Sequence, residues 1–237
     1  MAGDNLYNSS YNTVWTDWIK SGFSFDVTAI GNHNDGYKNE MAFFKMPGEY
    51  FSKVFENHVR FIVLNSDNKK NVNEQMSFLE QELLTAKEKM IFLVYHHPSY
   101  TLSHFHKWEE KRDFQLAIRP LLIKYRSRIT AVLAGHDHLA MIAEFGDLPI
   151  IISGAVQEVR SDIAVADSSQ DGVRIKTDWY FDGKPYWTQM KFDTNFNSVA
   201  MDFIRATDDQ VTCTVYVETG KALALDQNVV LSSQVQS

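Results

Sequence analysis

Residues 129–138 read ITAVLAGHDH, and this stretch decides the fold. Apolar residues run unbroken from Ala131 to Ala134 into Gly135. Then His136, Asp137 and His138 alternate imidazole, carboxylate and imidazole. A short continuous apolar run bounded by a turn signal reads as a strand covered on both faces, as in parallel sheets. Two histidines just past the carboxyl end of such a strand stand where open α/β folds build their ligand sites.

Outward from this stretch the pattern repeats. Residues 58–67, HVRFIVLNSD, carry the run Phe61–Leu64, and residues 90–98, MIFLVYHHP, form another buried strand ended by Pro98. Between them, residues 73–89, NEQMSFLEQELLTAKEK, give the clearest helix, with Met76, Leu79, Leu83 and Leu84 as its apolar stripe. Residues 112–125, RDFQLAIRPLLIKY, read as a helix that Pro120 should kink or split. Upstream, FDVTAIGNHND (25–35) reads as a buried strand opening into a loop. EYFSKVFE (49–56) and YNTVWTDWIKS (11–21) read as helices, the second with Val14, Trp15 and Ile19 near one face. Strands alternating with helices predict an α/β fold.

After about residue 139 the texture changes. LAMIAEF, LPIIISGA, YWTQMKFD, SVAMDFIRA and QVTCTVYVE are short β-like runs separated by Asp, Gly and Asn turns. They predict antiparallel strands in a second sheet packed on the first, with LDQNVVLSSQVQS as a frayed tail. No internal repeat or Pro/Gly/Ser linker interrupts the chain. Residues 1–237 therefore read as a single domain, with polar motifs over 1–155 and a β-rich part over 156–237.

Composition narrows the function. At 44% hydrophobic and 13% aromatic, 237 residues can bury a full core. A net charge of −7 lacks the basic footprint on which nucleic-acid binding by counterion release depends. No run approaches the roughly 18 apolar residues of a membrane span. MAGDNLYNSS has neither the basic nor the apolar segment of a signal peptide. The single cysteine, Cys213, permits no intrachain disulfide, and its alternating context VTCTVYV reads as a buried structural thiol. His58 reads as structural, and Trp108, Trp179 and Trp187 as core or pocket wall.

Four polar clusters carry the chemistry: GDNLY (3–7), GNHND (31–35), YHHP (95–98) and GHDH (135–138). They offer carboxylate, amide oxygen, phenolate and imidazole, and no thiolate. That set suits zinc, iron or manganese. A pair of such ions can clamp a phosphate and lower the pKa of a bound water towards about 7. Asp4 is a candidate bridge between two ions; Asn32, His96, His136 and His138 are candidate terminal ligands. His33 could face the substrate. His97 is either a neighbour lining the site or a packed core residue. Any one motif alone is weak, since histidines at strand ends are often structural and Gly-Asn is ordinary turn chemistry. Four in one order carry the argument.

That order, GDxxY, GNH, HxP, GHxH, resembles the calcineurin-like metallophosphoesterases over roughly residues 3–155, and Tyr7, three after Asp4, resembles the purple acid phosphatase type within them. The resemblance implies a four-layer αββα sandwich, here without its N-terminal strand. It implies a dimetal-dependent phosphomonoesterase acting on a phosphorylated small molecule or phosphoprotein, with a phosphodiesterase or nucleotide hydrolase on the same core as the alternative. Asp4 would bridge the metals. Tyr7 and His138 would complete the first site, typically ferric iron, unless Tyr7 is a plain wall residue. Asn32, His96 and His136 would hold the second metal, typically iron, zinc or manganese. His33 would contact the phosphate, and either His104 or His106 would be the general acid. An extracytoplasmic location is also implied.

Two departures stand out. The family pattern begins with an Asp motif on the strand before GD, whereas Met1 stands two residues before Gly3. The sequence thus reads as truncated, its signal peptide out of view, and a third reading is an inactive fragment. The family usually has Glu or Asp after GNH, where this chain has Asn34 and then Asp35.

Overall fold

A computed structural model describes residues 2–3, 16–17, 19–22, 24–33, 37–67, 71–103, 106, 108–154, 167–180, 184–221 and 223–227. Of the helix expected over 11–21, residues 16–17 and 19–20 are helical and Ser21 forms a turn, while residues 11–15 and 18 lie outside the described residues.

After a short helix α1 (Tyr37–Phe43), the chain forms a hairpin of β1 (Phe51–Phe55) and β2 (Val59–Val63). This overturns the helix expected over 49–56. Phe51 pairs with Val63 and Phe55 with Val59. Glu56 and Asn57 close the turn with φ of 49° and 57°, and the His58 amide donates to the Phe55 carbonyl at 3.0 Å. Two successive left-handed residues match the strand twist of a tight hairpin. The run is too short for its periodicity to separate helix from strand, so the turn decides.

Helix α2 (Val72–Thr85) buries Val72, Gln75, Leu79 and Leu83, while Leu84 is 57% exposed and leaves the predicted stripe. It leads into β3 (Met90–Val94), in which every residue is buried. Helix α3 (Arg112–Tyr125) turns Phe114, Ile118, Leu122 and Tyr125 inward. Pro120 does not split it, because Pro120 and Leu116 both lie on the exposed face, where water can donate to the Leu116 carbonyl in place of the missing proline N–H. Strand β4 (Ala131–Ala134) follows, then β5 (Ala140–Phe145), β6 (Leu148–Ser153), β7 (Asp167–Gln170) and β8 (Val173–Tyr180). These strands form one mixed sheet in the order β1-β2-β3-β4-β6-β5-β8-β7. Strands β2, β3, β4 and β6 run parallel, with α2 and α3 as crossovers. The two helices meet through Lys124 and Tyr125, which donate to Glu80 at 2.8 and 2.9 Å.

The later strands do not all form a second sheet, as expected. Strands β5 to β8 extend the first. Only β9 (Tyr186–Phe192), β10 (Ser198–Arg205), β11 (Gln210–Glu218) and β12 (Ala224–Gln227) make the second, in the order β12-β11-β10-β9. The two sheets share one core: Phe92 of β3 meets Phe192 of β9 with ring centroids 6.1 Å apart. Cys213 is buried in β11, and burial pushes its thiol up to about 12. Strand β12 takes in the start of the expected tail; residues 228–237 lie outside the described residues. Trp187 is 43% exposed and so is not core, whereas His58 stacks on Phe196 at 4.9 Å. Among the described residues no helix is long and apolar enough to cross a membrane.

Candidate metal centre

Parallel strands end on the same edge of a sheet, and here their pairing runs on into the motifs. Past β3 and β4, the Tyr95 amide donates to the Leu133 carbonyl at 3.2 Å and the Gly135 amide donates to the His96 carbonyl at 3.1 Å. The register that aligns two apolar strands therefore sets His96 against Gly135 and His136. On the other side, Ala2 pairs in parallel with Ala29, which brings the start of the chain beside Asn32.

Two glycines let these backbones close on the imidazole. Gly3 has φ +90°, and a Cβ there would stand 2.5 Å from Nδ1 of His96. A Cβ on Gly135 would stand 2.9 Å from the Ala2 carbonyl oxygen. Only a residue without a side chain fits either position.

The hydrogen bonds fix which ring nitrogens point inward. His96 donates from Nδ1 to the Ala2 carbonyl at 2.8 Å, which in the neutral ring leaves the lone pair on Nε2. That Nε2 lies 3.1 Å from Oδ1 of Asn32 and 3.3 Å from Nδ1 of His136. His136 donates from its opposite nitrogen, Nε2, to Oε2 of Glu110 at 2.7 Å, so its Nδ1 lone pair faces His96. Burial, with His96 beside it, pulls the His136 imidazole down to about 3 and keeps it neutral. An amide oxygen and two imidazole lone pairs thus face one another at contact distance. Such a donor set is mutually repulsive until a cation sits among it, and it fits a borderline divalent ion.

His97 sits behind this triplet. Its amide and its Nδ1 both meet the Ser66 hydroxyl, at 3.0 and 2.7 Å. Its ring centroid lies 4.2 Å from that of His136, and its buried Nε2 has no hydrogen-bond partner among the described residues. Burial pulls its pKa far below 6.5, so it is neutral. His96, His97 and His136 together form a cluster able to hold a metal ion.

The GHDH turn is strained at both of its histidines. His136 and His138 have φ of 65° and 51°, a conformation that costs a side-chain-bearing residue about 1–3 kcal/mol unless its surroundings hold it. Asp137 between them is fully buried and accepts a hydrogen bond from the Thr101 hydroxyl. Burial pushes its carboxyl up to about 8. His106 stands with its ring centroid 4.1 Å from that of His136 and 5.5 Å from that of His138. His33 is exposed beside Asn32. Asp4, Tyr7 and His104 lie outside the described residues.

Glu110 is the site residue that the sequence reading missed. It accepts from His136 and lies 3.2 Å from Nδ1 of His106. Burial raises its carboxyl, but hydrogen bonding to His136 and His106 outweighs this and holds it low. His106 lies before the 3-10 turn Trp108–Lys111 that carries Glu110, so no regular helical face marked the pair in the sequence.

The sequence profile of the calcineurin-like phosphoesterases matches residues 1–140, which is more than half of the chain. The chain belongs to the calcineurin-like phosphoesterase family. Members of this family typically bind two metal ions, and the cluster of His96, His97 and His136 could hold a metal ion here. Similar solved structures agree on the fold. GAP50, the anchor in the inner membrane complex of Plasmodium, is 15% identical with a TM-score of 0.62 over 82% of this chain and 66% of its own. The purple acid phosphatase PPD1 of yellow lupin seeds (Lupinus luteus) is 16% identical with a TM-score of 0.57 over 78% of this chain and 39% of its own. PhoD is 9% identical with a TM-score of 0.54 over 91% of this chain and 48% of its own. The family member described here thus spans less than two thirds of the length of each. No curated protein sequence matches it.

Proposed function

We propose that the chain is a two-metal phosphoester hydrolase of the purple acid phosphatase kind, acting on phosphomonoesters as one domain over residues 1–237. One observation carries this reading: Asn32, His96 and His136 turn Oδ1, Nε2 and Nδ1 to one point, with the other nitrogen of each ring tied to a hydrogen-bond acceptor. A metal pair, iron with iron, zinc or manganese, would supply positive charge at the phosphate and activate a water. Asn32, His96 and His136 would hold one metal, and Asp4, Tyr7 and His138 the other, with Asp4 shared. His33, exposed beside Asn32, would bind a phosphate oxygen and stabilise charge that grows there. His106, beside both His136 and His138, would give a proton to the leaving oxygen, a role for which His104 is the other candidate.

The test is a rate comparison on the metal-loaded protein with an aryl phosphate monoester and the matching bis-ester. The reading predicts faster monoester turnover, abolished by His33→Ala or Asp4→Asn. Faster bis-ester turnover would move the chain to the phosphodiesterase reading on the same core. Full activity in both variants would remove the site assignment, and no turnover of either ester would remove the activity.

A further inference from the structure

We propose that Glu110 is the positioning residue that sets His136 as a metal ligand and ties it to His106. This rests on the metal-site reading of Asn32, His96 and His136. An imidazole can present only one nitrogen to a metal, and the group that accepts from the other nitrogen decides which one and at what angle. For His96 that group is a main-chain carbonyl, which comes with the fold. For His136 it is a side chain, Glu110, standing 26 residues earlier, with Oε2 2.7 Å from Nε2. His136 also holds a left-handed backbone, φ 65°, so its ring direction is not given by strand geometry alone. The carboxylate therefore does for His136 what Ala2 does for His96.

Glu110 lies in a single 3-10 turn, Trp108–Lys111, that leads into α3. It carries His106 on the same side: Nδ1 of His106 is 3.2 Å from Oε1 and 3.3 Å from Oε2. One carboxylate thus spans a metal ligand and the residue facing the leaving-group side. The turn itself is anchored by Lys111, which pairs with Asp67 beside the end of β2. Movement of this turn would accordingly disturb metal binding and proton delivery together.

The experiment titrates Co²⁺ into the metal-free protein by calorimetry and records the visible spectrum of the Co²⁺ form, for wild type, Glu110→Gln and Glu110→Ala. The amide of Glu110→Gln can still accept from Nε2 of His136 without the charge, so the order of affinity is wild type, then Gln, then Ala. A carboxylate behind a metal-bound histidine typically contributes 10–100-fold in affinity, and Glu110→Ala is expected to lose roughly that factor, with an altered Co²⁺ spectrum and an unchanged far-ultraviolet circular dichroism spectrum. Affinity and spectrum in Glu110→Ala equal to wild type would overturn the role of Glu110 and leave the metal site standing. Absence of Co²⁺ binding in wild type would overturn the metal reading and this inference with it, and the two failures are read from different samples.

Discussion

The imidazole of His96 donates to the carbonyl oxygen of Ala2 across 2.8 Å, joining residues 94 positions apart. This contact places the end of a buried parallel strand against the first residues of the chain. It also fixes the tautomer that turns Nε2 of His96 toward Asn32 and His136. Fold and site chemistry meet in this one bond, and the glycine that follows Ala2 makes it possible.

Gly3→Ala tests that dependence. The new methyl group would stand 2.5 Å from Nδ1 of His96, on a backbone with φ +90°. The ring or the Ala2–Gly3 segment must move, and the Ala2 hydrogen bond is lost. The expected outcome is metal affinity lowered about 10–100-fold, the usual effect of losing a group that orients a ligating histidine. Calorimetric metal titration beside a thermal melt checks it: an affinity loss with little change in melting temperature assigns the effect to the ligand.

Leu93 is 0% exposed in the middle of β3, between β2 and β4. Leu93→Ala should cost about 2–5 kcal/mol, the range for deleting a buried leucine side chain. Urea unfolding should show a lower midpoint with an unchanged slope.

The hairpin between β1 and β2 can be improved. Glu56 sits at φ 49°, where a residue with a Cβ costs about 1–2 kcal/mol relative to its preferred conformation. Glu56→Gly should raise stability by a part of that amount, because glycine's greater freedom in the unfolded chain offsets some of the gain. A lower urea midpoint in the variant would contradict this account of the turn.

The ion pair of Arg60 with Glu88 predicts a pH dependence. Nε and Nη2 of Arg60 donate to the two carboxylate oxygens at 2.8 Å each, and Arg60 also pairs with Glu82. The bond to Arg60 holds the Glu88 carboxyl below its ordinary 4.5. A folded pKa below the unfolded one means that the unfolded chain binds the proton more tightly. The stabilisation is then fully present above the unfolded value and is lost as pH falls through the folded one. Glu88→Gln should be less stable than wild type at pH 7, and the gap should close below about pH 4. A gap that is constant with pH would contradict it.

Much of this was legible in the sequence for physical reasons. Strands covered on both faces must be apolar throughout, so β3 and β4 stood out as MIFLV and AVLA, and the histidines after them marked the edge where ligands gather. Helix α2 declared itself through its stripe. The β1–β2 hairpin did not, because its turn uses Glu56 and Asn57 where glycine would have signalled a left-handed pair. The division of the later strands between two sheets depends on long-range pairing, such as β5 with β8, that no local pattern encodes. Within the site, Asn32, His96 and His136 were legible as ligand types at strand ends. Glu110 was not, because a glutamate in an acidic stretch, WEEK, looks like any solvated face until the fold brings it to His136.

The most direct measurement is anomalous diffraction from crystals of the protein grown with Mn²⁺ or Zn²⁺. The account predicts a metal peak between Asn32, His96 and His136, about 2.0–2.2 Å from Oδ1, Nε2 and Nδ1 respectively, with Nδ1 of His96 still on the Ala2 carbonyl. A metal bound through other residues, with His96 and His136 turned away from it, would contradict the account.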